Sequence, residues 1–360
     1  MVKIRVEKLC KRFGNRCIFN DFSIEIESGS FTVILGPPGA GKTTLLRLLA
    51  GVEVPDGGRI YFDDKDVTDV PAKDRNVAMV FQSYALHPNK KIFDIIASPL
   101  KINKVPQEKI KCKVEEVANM LGIGELLNRY PRELSGGQQQ RVAIARALVK
   151  EANLILFDEP LTNLDYKIRE GMRSELKKIL SLKGGTIVYA TPDPTEALSM
   201  AKYVAILNQG KLEQYGAVDD VYNHPTNKFV GYYFSFPPMN LLEGRVIKEN
   251  GILMFYSHGL KVNLNDYRSK VEEGEELILG IRPSKLLIET ANRLVKFEGE
   301  VIITEVIGSE TIIHIKYNEL RLAVLVPKIY RLLPGDKLTI GFDPDDTFIF
   351  RKSDGFLIKR

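Results

Sequence analysis

Gly36-Pro37-Pro38-Gly39-Ala40-Gly41-Lys42-Thr43-Thr44 is the stretch from which the rest of this chain is read. Phe31-Thr32-Val33-Ile34-Leu35 precedes it and Leu45-Leu46-Arg47-Leu48-Leu49-Ala50 follows it. A buried strand, a glycine loop and a helix start form the setting in which G-x-x-x-x-G-K-[ST] cradles phosphate. The glycines leave no Cβ between backbone and phosphate, so the N–H groups of the loop and of the new helix face inward. Lys42 is placed to reach the β- and γ-phosphates and the Thr43 hydroxyl to hold Mg²⁺. The loop predicts a nucleoside triphosphate site.

Outward from the loop, strands and helices alternate to about Tyr215. Apolar β-branched runs fall at 31–35, 77–81, 154–157, 186–189 and 203–207, with helix-period segments at 107–121, 138–149, 166–182 and 195–200. This order predicts an α/β domain built on a largely parallel sheet. Alternating runs at 2–7, 22–27 and 59–62 predict an antiparallel edge on that sheet, and a helix-rich insertion is expected over about 92–131. Past Phe236-Pro237-Pro238 the helical period fades. Short alternating runs at 277–281, 300–306, 311–316, 321–326, 337–342 and 347–350, parted by turn residues, predict a small all-β barrel of the OB type. The expected domains are therefore 1–236 and 237–360, with a helical connector over 218–233.

Composition excludes several classes. No apolar run approaches the roughly 18 residues of a membrane span, and the first residues alternate like a half-buried strand rather than a signal peptide. Cys10, Cys17 and Cys112 lack metal-ligand spacing and read as packing residues of a reducing compartment, which points to the cytoplasm. The net charge of +5 is not gathered into basic blocks, so nucleic acid is not an expected partner, while an anionic membrane face suits it.

Two further motifs carry chemistry. In Leu154-Ile155-Leu156-Phe157-Asp158-Glu159-Pro160 an apolar strand ends in two carboxylates. Asp158 is placed to join the Mg²⁺ shell and Glu159 to polarise an attacking water. In Leu134-Ser135-Gly136-Gly137-Gln138 a serine and two glycines open a helix, a second anion-binding cap. One γ-phosphate seldom needs both caps from the same chain, so two chains are expected to pack head-to-tail with ATP between them.

Leu134–Gln138, continued by Gln139-Gln140-Arg141, resembles the signature of ATP-binding cassette (ABC) ATPases, and the resemblance covers essentially the whole chain. It implies a P-loop ABC ATPase domain and the sandwich dimer, with Ser135, Gly136, Gly137 and Gln138 acting on the partner's ATP. It implies that Phe13, which alone would read as a core residue, stacks on adenine. Gln82, in Val80-Phe81-Gln82-Ser83, matches the glutamine that senses Mg²⁺ and γ-phosphate and links to the membrane partner; Leu164-Asp165 matches a loop crossing the dimer interface. Pro237–Leu242, Gly280-Ile281-Arg282-Pro283 and the closing strands are similar to the regulatory (TOBE/OB-like) domain of maltose- and multiple-sugar-importer ATPases. Importers of polyamines, ferric iron and glycerol phosphate carry related domains. The implied partners are transmembrane permease subunits, indirectly an extracellular solute-binding protein, and a second ATPase in a homodimer or heterodimer. The implied location is the inner face of the cell membrane.

One departure stands out. The family pattern Thr-His-Asp, whose histidine contacts the γ-phosphate, is here Thr191-Pro192-Asp193, and Thr195-Glu196-Ala197 fixes the register. Proline offers no donor from side chain or backbone nitrogen. None of His87, His224, His258 and His314 is local to this loop. The expectation is tight Mg-ATP binding with slowed hydrolysis. A degenerate partner within a heterodimeric importer is the alternative, and a non-transport ABC ATPase a further one, although no coiled-coil insertion, tandem cassette or basic face supports it.

Overall fold

The computed structural model describes residues 1–162, 166–267, 269–288 and 295–358, and for 166–168 and 181–183 the backbone alone. It separates into two compact units, Met1–Val218 and Asp219–Arg360.

In the first unit six described strands form a sheet in the order Lys211–Ala217, Tyr203–Asn208, Phe31–Leu35, Thr186–Thr191, Leu154–Asp158 and Val77–Val80. All neighbours are parallel except the first pair. Leu154–Asp158 and Thr186–Thr191 are buried at every residue, which is why they read as continuous apolar runs rather than alternating ones. The helix Lys42–Ala50 buries Leu45, Leu46, Leu48 and Leu49 in one core with Ile34, Leu156 and Val188. The early alternating runs do not edge this sheet. They form a sheet of their own, in the order Arg16–Ile26, Ile4–Phe13, Gly57–Phe62, Lys65–Asp66, and its inward residues Ile4, Val6, Ile24 and Ile60 join the same core. Alternation says that one face is buried, not which sheet the strand enters.

The expected helical insertion contains Ile92–Ile102 and Gln107–Met120, and the helix Gly136–Leu148 packs against both. Pro99 lies inside the first of these and cannot bond back to Ile95; the Ser98 hydroxyl donates to that carbonyl at 2.7 Å instead.

The β-rich unit holds two five-stranded antiparallel sheets. One runs in the order Leu260–Asn263, Ile252–Ser257, Asn240–Glu249, Glu276–Ile281, Thr347–Arg351; the other in the order Leu287–Ile288, Lys337–Phe342, Val295–Ile307, Glu310–Tyr317, Leu320–Val326. Leu242, Phe255 and Leu279 from the first share a core with Phe297, Ile313 and Ile340 from the second. The short helices Val218–Asn223 and Lys228–Tyr233 are tied on by buried Arg282, whose guanidinium donates to the carbonyls of Tyr222 and Phe234 and lies 3.4 Å from the Tyr222 ring centre.

Candidate nucleotide site

Phe31–Leu35 lies inside the six-stranded sheet, so its loop leaves from the carboxyl edge, where open α/β sheets collect ligands. Leu35 is the register partner of Thr191, and Asp158 that of Ala190. The Gly36 N–H donates to Thr191 O at 3.3 Å and the Glu159 N–H to Ala190 O at 2.9 Å. Three neighbouring strand ends thereby gather the phosphate loop, the two carboxylates and the segment through Pro192.

The loop needs its glycines. Gly39 and Gly41 have φ of +82° and +106°, and a Cβ on Gly41 would lie 2.8 Å from Phe19 Cζ. The helix Lys42–Ala50 begins at Gly41 with no side chain capping it, so its first-turn amides remain for an anion.

Lys42 is 3% exposed. Its Nζ donates to Gly36 O at 2.8 Å and to Pro37 O at 3.2 Å, and sits 3.1 Å from Glu159 Oε1. Thr43 Oγ1 donates to Asp158 Oδ1 at 2.8 Å. Burial pushes the Asp158 carboxyl above its ordinary value, and the Thr43 hydrogen bond pulls the other way. Glu159 adopts φ +47°, uncommon for a residue with a side chain. The Thr43–Asp158 pair fits magnesium, which takes hard oxygen donors, often only one or two from the protein, with phosphate and water completing the shell. Among the described residues no cluster of three or more His, Cys, Asp or Glu could hold a metal ion.

A cavity of about 310 Å³ opens on this loop, lined by Phe13, Arg16, Ile18, Gly39, Gly41, Lys42, Thr43, Thr44 and Glu159. Phe13 is 44% exposed, so it is not a core residue. Lys11 Nζ lies 4.9 Å from its ring centre. Arg16 and Ile18 were not candidates from sequence. The signal for Arg16 is the two-residue turn Gly14-Asn15, which sets it opposite Phe13.

The remaining expected residues lie outside that lining. Gln82 is exposed, two residues past the strand Val77–Val80. Beside it, Tyr84 and Ala85 both take positive φ and their carbonyls accept from the Arg146 guanidinium at 2.9 and 2.7 Å. Arg146 thus fastens the Gln82 segment to the helix Gly136–Leu148. Ser135 and Gln138 form a reciprocal cap: Gln138 N–H donates to Ser135 Oγ at 3.4 Å and Ser135 N–H to Gln138 Oε1 at 3.0 Å. This cap explains why the helix starts at Gly136, two residues before the apolar period suggests. A Cβ on Gly136 would meet nothing within 4 Å, so this end of the helix is open. Pro192 is half-buried between Thr191 and Asp193, which caps the helix Pro194–Met200 by accepting from Thr195 N at 2.8 Å. Asp165 lies outside the described residues.

Residues 19–162 match the ABC transporter family, 237–286 the MalK OB fold domain and 279–350 the TOBE domain. The chain is 42% identical to the trehalose/maltose import ATP-binding protein MalK of Thermococcus litoralis, over 99% of both chains. It is 38% identical to the oligosaccharides import ATP-binding protein MsmX of Bacillus subtilis, covering 97% of this chain and 98% of that one. It is 35% identical to the sn-glycerol-3-phosphate import ATP-binding protein UgpC 1 of Rhizobium johnstonii, covering 100% of this chain and 97% of that one.

Proposed function

The chain belongs to the ABC transporter ATP-binding subunits that carry MalK-type OB and TOBE domains, and from that premise we propose that it hydrolyses Mg-ATP to energise the import of a sugar. The observation that carries this reading is the pair of bridges from the phosphate loop to one strand end, Lys42 to Glu159 and Thr43 to Asp158. They set the terminal phosphate beside a carboxylate that can take a proton from water.

In this reading Phe13 stacks on the base. The amides of Gly36–Thr44 and the Lys42 ammonium hold the phosphates. Thr43 and Asp158, with Gln82, would hold Mg²⁺, which neutralises charge developing on the phosphate oxygens. Glu159 orients the attacking water. Ser135, Gly136, Gly137 and Gln138 of a second subunit close over the γ-phosphate, and Asp165 lies at that interface. Residues 1–236 form the ATPase domain and 237–360 the regulatory domain. No helix among the described residues is long and apolar enough to cross a membrane; attachment to the inner membrane face through permease subunits belongs to the proposal. The names of the Thermococcus and Bacillus relatives support a sugar as cargo, and both are more similar to this chain than the glycerol-phosphate protein.

Pro192 adds a finer reading. With no donor at that position, hydrolysis is slowed while binding persists, and the chain's intact Ser135–Gln138 cap completes the competent site of a histidine-bearing partner if the dimer is mixed. The test is ATP turnover by this chain with its permease subunits in lipid, with and without the cognate binding protein and sugar. Sugar-stimulated, Mg²⁺-dependent hydrolysis supports the proposal; a chain that binds no nucleotide overturns it.

A further inference from the structure

Arg16 has no part in the chemistry above, yet it stands in the nucleotide cavity. It is the register partner of Phe13 across the Gly14-Asn15 turn. Its Nη2 comes within 3.4 Å of where a side chain on Gly39 would begin, so the guanidinium rests against the phosphate loop itself. It makes no hydrogen bond or ion pair with any described residue. Lys11, on the neighbouring strand, is by contrast committed to Val54 O at 2.7 Å and to Glu53 at 3.4 Å.

An arginine without a carboxylate is ordinary on a surface. Here the location is informative. In the proposed reading Phe13 takes the base and Lys42, beside Glu159, the terminal phosphate. Arg16 lies against Gly39, three residues before Lys42 in the loop, and opposite Phe13 in the hairpin. Its planar fork of N–H donors matches a pair of phosphate oxygens, and a guanidinium sheds water more readily than an ammonium does. We infer that Arg16 is a substrate-binding residue that grips the inner phosphates of the nucleotide, those shared by ATP and ADP. This inference rests on the nucleotide reading of the site.

It has a consequence for the cycle. A contact shared by both nucleotides holds ADP after the terminal phosphate has gone. Arg16 therefore strengthens ATP capture and retards ADP release together.

The test is equilibrium binding of Mg-ATP and Mg-ADP to the full chain at low and high salt, for wild type, Arg16→Gln and Arg16→Lys. Arg16→Gln should weaken both nucleotides by about 5- to 20-fold, the range of one charge-assisted contact. Its loss of affinity with rising salt should be shallower than that of wild type, because one ionic contact is missing. KM for ATP should rise more than kcat changes, and Arg16→Lys should recover part of the affinity. Unchanged ADP binding in Arg16→Gln overturns the inference, as does equal binding by the Gln and Lys variants. A wild-type chain that binds neither nucleotide instead overturns the nucleotide reading itself.

Discussion

The Lys42 ammonium lies 3.1 Å from Glu159 Oε1 while donating 2.8 Å to the Gly36 carbonyl. The residue proposed for the terminal phosphate is thus paired with the residue proposed for the lytic water. In the proposed mechanism an incoming phosphate takes Lys42 from Glu159, and the exchange leaves the carboxylate free to accept a proton. Glu159→Gln removes both the competitor and the base. Its affinity for Mg-ATP should equal or exceed that of wild type, while single-turnover hydrolysis falls by about 10²-fold or more. Measured together, the two rates of change decide the point: weaker binding in Glu159→Gln would show that the carboxylate helps to hold nucleotide rather than compete for Lys42.

Asp158 gives a stability signature. Burial raises its pKa in the folded chain, so between the unfolded and folded values the native state holds more protons than the unfolded one. Stability from this group therefore falls as pH rises through that window and stays lower above it. Asp158→Asn keeps an oxygen to accept from Thr43 and removes the buried charge. Its Tm at neutral pH should exceed that of wild type by roughly 2 °C, with the gap closing in acid, while Mg²⁺-dependent hydrolysis is lost. A variant less stable than wild type at neutral pH would contradict this sign.

The phosphate loop, the strand ending in Asp158-Glu159 and the Ser135 cap were legible because each is written in one short run of residues, although the bonds that join Thr43 to Asp158 and Lys42 to Glu159 are long-range. What escaped depends on partners far away. The alternation at 2–7, 22–27 and 59–62 announces half-buried strands, but nothing in it tells a separate sheet from an edge of the parallel one. Ile92–Ile102 falls within the helix-rich insertion expected over about 92–131, but its bounds were not legible, and the Pro99 inside it is accommodated by the Ser98 hydroxyl. Arg16 reaches the cavity only through hairpin register, and the part played by Arg75 shows only in its carbonyl partners.

Arg75 is 6% exposed and its guanidinium donates to four carbonyls: Leu48 at 2.7 Å, Leu49 at 3.1 Å, Thr68 at 2.8 Å and Val70 at 2.6 Å. The first two lie at the end of Lys42–Ala50, where Leu48 O also accepts from the Gly51 N–H at 3.2 Å, so Arg75 helps to cap the helix whose other end opens the phosphate loop. Arg75→Met should cost about 2–4 kcal/mol, because buried carbonyls are left without donors. Arg75→Lys should recover less than half, since one ammonium cannot span four acceptors. Denaturant unfolding of the two variants checks both statements, and a loss below 1 kcal/mol for Arg75→Met would mean that water reaches these carbonyls.

Pro192 supplies the sharpest test of how the site works. It follows Thr191, whose carbonyl takes the Gly36 N–H, and stands one strand over from Glu159. Around it, Asp193 N–H donates to Thr191 Oγ1 at 3.1 Å, and Asp193 caps the next helix through Thr195. Pro192→His leaves the donors and acceptors of these Asp193 bonds in the chain. It places a donor where the chain has none, beside the phosphate loop and the base. If a missing polar group limits the chemical step, Pro192→His should raise the hydrolysis rate by about tenfold or more while the Kd for Mg-ATP changes little. If the chain works as a companion in a mixed dimer, the gain should appear in the homodimer and be small in the mixed complex, where the partner's site already turns over. Single-turnover hydrolysis in both assemblies separates these outcomes. An unchanged or lower rate in the homodimer would show that other groups already orient the water and that proline at this position costs the enzyme nothing.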